Sequence, residues 1–134
     1  MLIDAEAQGK GMLTVTKGWT AATPAQQDAW HEYSLATFLL GTGGKSMFYF
    51  LRDRTLNATQ MDHPFNLIDP GVPTGAYRFE SGVYQRDYTA ALVLVNPTKA
   101  VATVPLTRSY TTLTGAPVTG SITLAPNTAK ILRF

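Results

Sequence analysis

The sequence predicts a mainly β protein, α+β overall, in which an antiparallel β-sandwich is preceded by a βαβ unit with one amphipathic helix. Three observations predict it. The run Leu92, Val93, Leu94, Val95 is aliphatic and β-branched, too short for a buried helix, and stopped sharply by Asn96-Pro97. From Glu80 onward turn signals recur at short intervals, at Glu80-Ser81-Gly82, Asn96-Pro97-Thr98-Lys99, Thr114-Gly115-Ala116-Pro117 and Ala125-Pro126-Asn127. Short strands at that spacing favour an antiparallel sandwich over a parallel sheet. Ahead of them a single capped helix lies between two strand-like runs, the order of a βαβ unit with its parallel strand pair.

In chain order, Gly11 to Lys17 alternate as a strand does, with Leu13 and Val15 on one face, and Gly18-Trp19 ends the run. Thr23-Pro24-Ala25-Gln26 is a helix start: threonine accepts from free backbone amides, proline suits the first helical position, and glutamine closes a capping box. Ala29, Trp30, Tyr33, Ala36, Phe38, Leu39 and Leu40 continue at helical spacing, giving a helix over about 24–40, with Gly41 expected as a left-handed C-cap. The small residues Gly41 to Gly44 lead into the aromatic strand Ser46 to Leu51. Such a pair of parallel strands has two open edges, so self-association or docking to another domain is expected. Residues 1–54 form this βαβ segment, 55–75 a Pro/Gly-rich linker, and 76–134 the sandwich. Its strands are expected at about 76–80, 83–88, 91–96, 101–106, 109–113, 118–124 and 128–133, with 91–96 central.

Composition excludes several function classes. Of 134 residues, 45% are hydrophobic and 15% charged, which suits a packed chain rather than a disordered one. The net charge of +2 comes from scattered Lys and Arg without a basic run, against nucleic acid or an anionic membrane as partner. The absence of cysteine removes disulfides and thiolate metal sites. The first residues, MLIDAEAQGKGMLTV, carry acids and no unbroken apolar core, so they do not read as a secretion signal, and no stretch approaches the ~20 apolar residues of a bilayer span.

Chemistry-bearing patterns are sparse. His31 and His63 are too few and too different in context for a metal site, and His31 is expected on the exposed face of the helix. None of Ser34, Ser46, Ser81, Ser109 and Ser121 sits in a nucleophile elbow. The Gly41 to Gly44 loop lacks the Lys-Ser/Thr ending on a following helix that phosphate binding needs, because Lys45-Ser46 enters a strand. No cofactor is implied. Arg86 and Asp87 are neighbours on a strand and point to opposite faces, which suits one of them to a structural ion pair. Tyr77, Phe79, Tyr84 and Tyr88 read first as sheet aromatics; alternate members, if exposed, would form a flat carbohydrate platform.

The order GKGMLTVTK, ATPAQQDAWHEYSLATFLLGTGGKSMFYF, IDPGVPTGAY, VYQRDYTAALVLVNPT, TLTGAPVTG and ITLAPNTAKILRF resembles the C-terminal region of TIM-barrel glycoside hydrolases, the last barrel βαβ unit plus a β-sandwich. Arg86, Asp87 and Tyr88 followed by Leu92 to Thr98 carry the most specific part of the likeness, and Ile122 to Leu132 a more general part. The resemblance implies that Thr16, Lys17, Trp19, Arg52 and Asp53 stand at C-terminal strand ends, where barrel enzymes keep their sites. Trp19 then suits sugar stacking, with packing on the helix as the simpler reading, and Arg52-Asp53-Arg54 reads first as a solvated charge cluster. The paired carboxyl groups that glycoside hydrolysis needs belong to upstream strands absent here. The expected function is therefore that of a non-catalytic C-terminal fragment or accessory sandwich with a structural role. The alternative is a carbohydrate-binding module using Trp19, Arg52, Asp53, Tyr77, Tyr84 and Tyr88. A small enzyme built on Asp53 or Asp62 ranks last.

Overall fold

The computed structural model describes residues 1–18, 21–52 and 63–134, which fall into two compact units, Met1–Asp69 and Pro70–Phe134. Trp19, Asp53, Arg54 and Asp62 lie outside the described residues.

The first unit contains helix α1 (Leu2–Ala7), strand β1 (Leu13–Lys17), helix α2 (Pro24–Gly41), strand β2 (Met47–Leu51) and a 3-10 turn at Pro64–Leu67. β1 and β2 pair in parallel, from Leu13 opposite Met47 to Lys17 opposite Leu51, as the βαβ reading requires. α2 begins where its capping residues dictate. Thr23 Oγ1 accepts from the Gln26 N–H at 3.2 Å, and the Thr23 N–H donates to Gln26 Oε1 at 2.9 Å, so two amides that the first turn leaves free are satisfied.

The other end of α2 departs from expectation. Gly41 is still helical, and Thr42 caps the helix with φ −78°. A Cβ on Gly41 would lie 3.2 Å from Leu2 Cδ2 of α1, a tight approach that a small shift of that side chain would relieve. α1 itself carries no periodicity signal, being barely more than one turn. It is held by Glu6, whose carboxylate accepts from Thr42 Oγ1 at 2.8 Å and from the Gly43 N–H at 2.5 Å. Burial pushes the Glu6 carboxyl up, but hydrogen bonds from Ser46, Thr42, Gly43 and Lys45 outweigh it and hold the group below its ordinary value.

The buried stripe of α2 is Gln27, His31, Leu35 and Leu39, with Glu32 and Ala36 beside it. That is four-residue spacing, polar at the N-terminal half and apolar at the C-terminal half, rotated away from the expected Ala29 and Trp30, which are exposed. His31 is fully buried, contrary to the exposed position its polarity suggested. Thr14 and Thr16 of β1 line a groove with Tyr33, Ser34, Thr37 and Phe38 of α2. Alternation then puts Leu13, Val15 and Met47 on the opposite face, where they are 68%, 47% and 70% exposed.

The second unit is entirely β: β3 (Arg78–Glu80), β4 (Val83–Asp87), β5 (Ala91–Asn96), β6 (Ala102–Pro105), β7 (Tyr110–Thr112), β8 (Pro117–Val118), β9 (Ser121–Leu124) and β10 (Thr128–Arg133). Six strands form an antiparallel sheet in the order β3-β4-β5-β10-β7-β8, and β6 pairs with β9 as a second, two-stranded layer. Between them lies one apolar cluster, Val83, Leu92, Leu94, Ala102, Val104, Tyr110, Leu124 and Leu132, drawn from both layers. β5 is buried along its whole length, as the aliphatic run predicts for a central strand.

The expected strand 118–124 is two strands. Pro117–Val118 pairs with β7 in the large sheet and Ser121–Leu124 with β6 in the small one. Gly120, at φ +75°, makes the corner between them, a conformation other residues adopt at a cost. A second tie between the layers is Asn96, fully buried at the end of β5. Its Nδ2 donates to Ala100 O at 2.8 Å, Leu124 O at 3.2 Å and Ala125 O at 3.1 Å, while Oδ1 accepts from the Thr98 N–H at 3.0 Å. One side chain thus fixes the β5–β6 turn and the chain leaving β9.

Candidate functional site

Among the described residues, a cluster of ionisable and aromatic side chains sits in the first unit, at the C-terminal end of the β1–β2 pair. Backbone pairing carries the strands to Gly18, whose N–H donates to Leu51 O at 2.7 Å. Gln27 from α2 closes this end, its Nε2 donating to Arg52 O at 2.7 Å. A Cβ on Gly18 would fall 2.0 Å from Gln27 Oε1, so a larger residue there would displace the Gln27 side chain.

Around this point α2 contributes Asp28 and His31, the residue after β2 contributes Arg52, and the 3-10 turn contributes His63, Phe65 and Asn66. Arg52 Nη2 donates to Asp28 Oδ1 in a close ion pair. His63 Nε2 lies 3.7 Å from the same carboxylate oxygen, and its Nδ1 accepts from the Phe65 N–H at 3.2 Å with Arg52 Nη2 3.4 Å away. The bond from Phe65 makes Nδ1 the bare nitrogen and places the proton of the neutral ring on Nε2. His31 Nε2 is 2.8 Å from Asn66 Oδ1 and donates to it. The His31 ring stacks on Phe50 at 4.6 Å and 13°, with His63 at 5.1 Å and Phe65 at 5.4 Å.

Both imidazoles are held neutral at pH 7. Burial, then the neighbouring His63, pushes His31 down to about 4; Asn66 and Asp28 oppose this and Arg52 reinforces it. Burial and the Arg52 guanidinium lower His63 as well, against Asp28. Chemically the cluster is a carboxylate–guanidinium pair flanked by two neutral imidazoles. Neither ring has a hydroxyl nucleophile at hydrogen-bond distance among the described residues. Among the described residues no group of three or more His, Asp or Glu is placed to hold a metal, and no helix is long and apolar enough to cross a membrane.

The residues singled out for carbohydrate fall in both units. Arg52 belongs to the cluster just described, and its partner is Asp28 rather than solvent alone. Trp19 and Asp53 lie outside the described residues. Tyr77 and Tyr84 are in the second unit, 45% and 36% exposed, and pack edge to face with ring centroids 5.8 Å apart and planes at 70°. Phe79, directly across from Tyr84 in the β3–β4 register, is 59% exposed and inclined to it by 59°. These rings form an exposed aromatic patch that is ridged, where period two alone suggested a flat one. Tyr88 is buried at 4% and presents no face to a ligand. Its N–H donates to Ala91 O at 2.8 Å where the chain bends from β4 to β5, and Arg86 covers its ring at 5.6 Å. Asp87 pairs on the surface with Arg78, which also binds Glu80 at 3.0 Å.

Sequence reasoning passed over Asp28, His31, His63 and Asn66 as a group. The available signal was the four-residue step Gln27, His31, Leu35, Leu39, which puts His31 on the stripe that includes the most apolar positions.

Among the solved structures that resemble part of the chain are two beta-galactosidases. A GH42 beta-galactosidase matches at 22% identity and a TM-score of 0.36, over 47% of this chain and 10% of that one. A beta-galactosidase from Bacillus circulans sp. alkalophilus matches at 23% identity and a TM-score of 0.32, over 43% of this chain and 10% of that one. The likeness is distant and partial. The chain spans about a tenth of the length of these structures, and no family model and no curated protein matches it.

Proposed function

We propose that the chain is a non-catalytic, structural segment of a glycoside-hydrolase-like protein, a barrel-type βαβ unit joined to an accessory β-sandwich. One observation carries this reading. Among the described residues, the parallel β1–α2–β2 unit is covered on one face by α2, while on the other Leu13, Val15 and Met47 are exposed and Leu51 is buried. Among the described residues, neither strand has a second neighbour. In a closed parallel barrel that uncovered face points into the packed interior and both edges are paired. The motif Arg86, Asp87, Tyr88 with Leu92 to Thr98 supports the same assignment for the sandwich, where it forms β4, the bend and β5. The role is then to complete and brace a barrel supplied by other strands, or, for the chain alone, to pair its open edges with a second copy.

The second reading is a carbohydrate-binding module. It is favoured by the exposed Tyr77, Phe79 and Tyr84 patch, whose ridged shape offers one ring at a time to a sugar. Calorimetric titration with a panel of oligosaccharides, run beside chromogenic glycosides, separates the readings. The structural role predicts neither saturable heat nor turnover. Saturable binding that Tyr84→Ala abolishes would replace it with the binding module, and turnover would overturn both.

A further inference from the structure

We propose that Asp28, His31, Arg52 and His63 form an acid-sensitive latch that holds the Pro64–Leu67 turn onto the α2–β2 layer, and that protonation of the two imidazoles releases the turn. The argument begins with which nitrogen would take the proton. In the closed state His63 Nδ1 is the acceptor that caps the turn, bonded to the Phe65 N–H at 3.2 Å. A proton there removes the cap and sets a second cation against Arg52 Nη2, 3.4 Å away. His31 uses Nε2–H for Asn66 Oδ1, so its proton would land on Nδ1, which is buried and has no hydrogen-bond partner among the described residues.

The groups acting on these rings are few. Asp28 is the only carboxylate that the described residues place against them, and it already pairs with Arg52. Among the described residues, two imidazolium ions 5.1 Å apart would join that guanidinium, giving three cations to one carboxylate around a ring stacked on Phe50. The cheapest relief is for the turn to leave. His63, Phe65 and Asn66 move together, both rings reach water, and the Phe65 side chain, buried when closed, is exposed. The direction with pH follows from linkage. The released turn takes up protons near the ordinary value of 6.5, whereas closed His31 resists them down to about 4. Closure is therefore at full strength above about pH 6.5 and is lost progressively as pH falls below it.

The second unit contains neither histidine, so it serves as an internal control in the intact chain. Hydrogen–deuterium exchange, corrected for the intrinsic pH dependence of amide exchange, should show protection at Phe65 and Asn66 falling roughly tenfold or more between pH 7 and pH 5, with β4, β5 and β10 unchanged. His63→Asn keeps a non-titrating acceptor for the Phe65 N–H and His31→Phe keeps a ring on Phe50; each should flatten the pH profile, and the double variant should abolish it. Protection at Phe65 unchanged down to pH 5 would overturn the latch. So would an identical pH profile in the double variant. If a variant does not fold, NMR titration of wild-type imidazole nitrogens decides: a His63 ring whose bare nitrogen is Nε2, or that titrates without change in the Phe65 amide, rejects the proposal.

Discussion

The two units solve the same problem, covering a sheet, in opposite ways. The sandwich encloses its own core: aliphatic side chains from two layers meet in one cluster, and its buried polar side chains, Gln85 and Asn96, hydrogen-bond to backbone carbonyls. The βαβ unit buries Glu6, Gln27, His31, Glu32 and Thr42 and leaves Leu13, Val15 and Met47 in solvent. Apolar burial is additive and tolerant, whereas a polar interior depends on every partner being in place. The sandwich therefore rests on an apolar core shared by two layers, whereas the βαβ unit mixes buried polar side chains with Leu35, Leu39, Phe50 and Phe65.

Substitutions can break this contrast. The largest effect is expected at Asn96→Ala, which strips three carbonyls, that of buried Leu124 among them, and the Thr98 amide of their partner and should cost about 3 kcal/mol, measured as a loss of second-unit stability in urea. A cost below about 1 kcal/mol would mean that the layers are tied elsewhere. Next comes Glu6→Ala. Freeing Thr42, Gly43 and α1 together should cost about 2 kcal/mol and raise amide exchange in the Gly41 to Ser46 loop without touching the sandwich. Smallest is Leu13→Lys, on the uncovered sheet face, expected to change the stability of the isolated chain by less than about 0.5 kcal/mol. A large loss at Leu13, or dissociation of a larger species in sedimentation, would show that a second copy already covers this face.

The same contrast explains what the sequence disclosed. The central strand β5 and its Asn96-Pro97 stop, and the Thr23 to Gln26 helix start, are local patterns whose physics acts within a few residues, and both are found where expected. What could not be read depends on partners distant in sequence. His31 is polar on a helix, and polarity alone predicts exposure; Asn66 and Phe50, which make its burial tolerable, approach only in the fold. Gly41 carries the signature of a helix cap, yet the helix runs through it and Thr42 makes the cap. Val118 to Leu124 has the composition of one strand, and only the pairing with β7 and β6 reveals the corner at Gly120. Tyr77 and Tyr84 were legible as aromatics on a sheet, and their mutual tilt was not.

The position of β10 between β5 and β7 has a kinetic consequence. β3, β4 and β5 follow one another as hairpins and can zip locally, but the strand that completes the far side of β5 arrives only after β6 and β9 of the second layer and β7 and β8 of the same sheet have passed in sequence. Closure of that long loop should set the folding rate, and the half-built meander, with the apolar edge of β5 bare in the meantime, is the species most prone to stick to its neighbours.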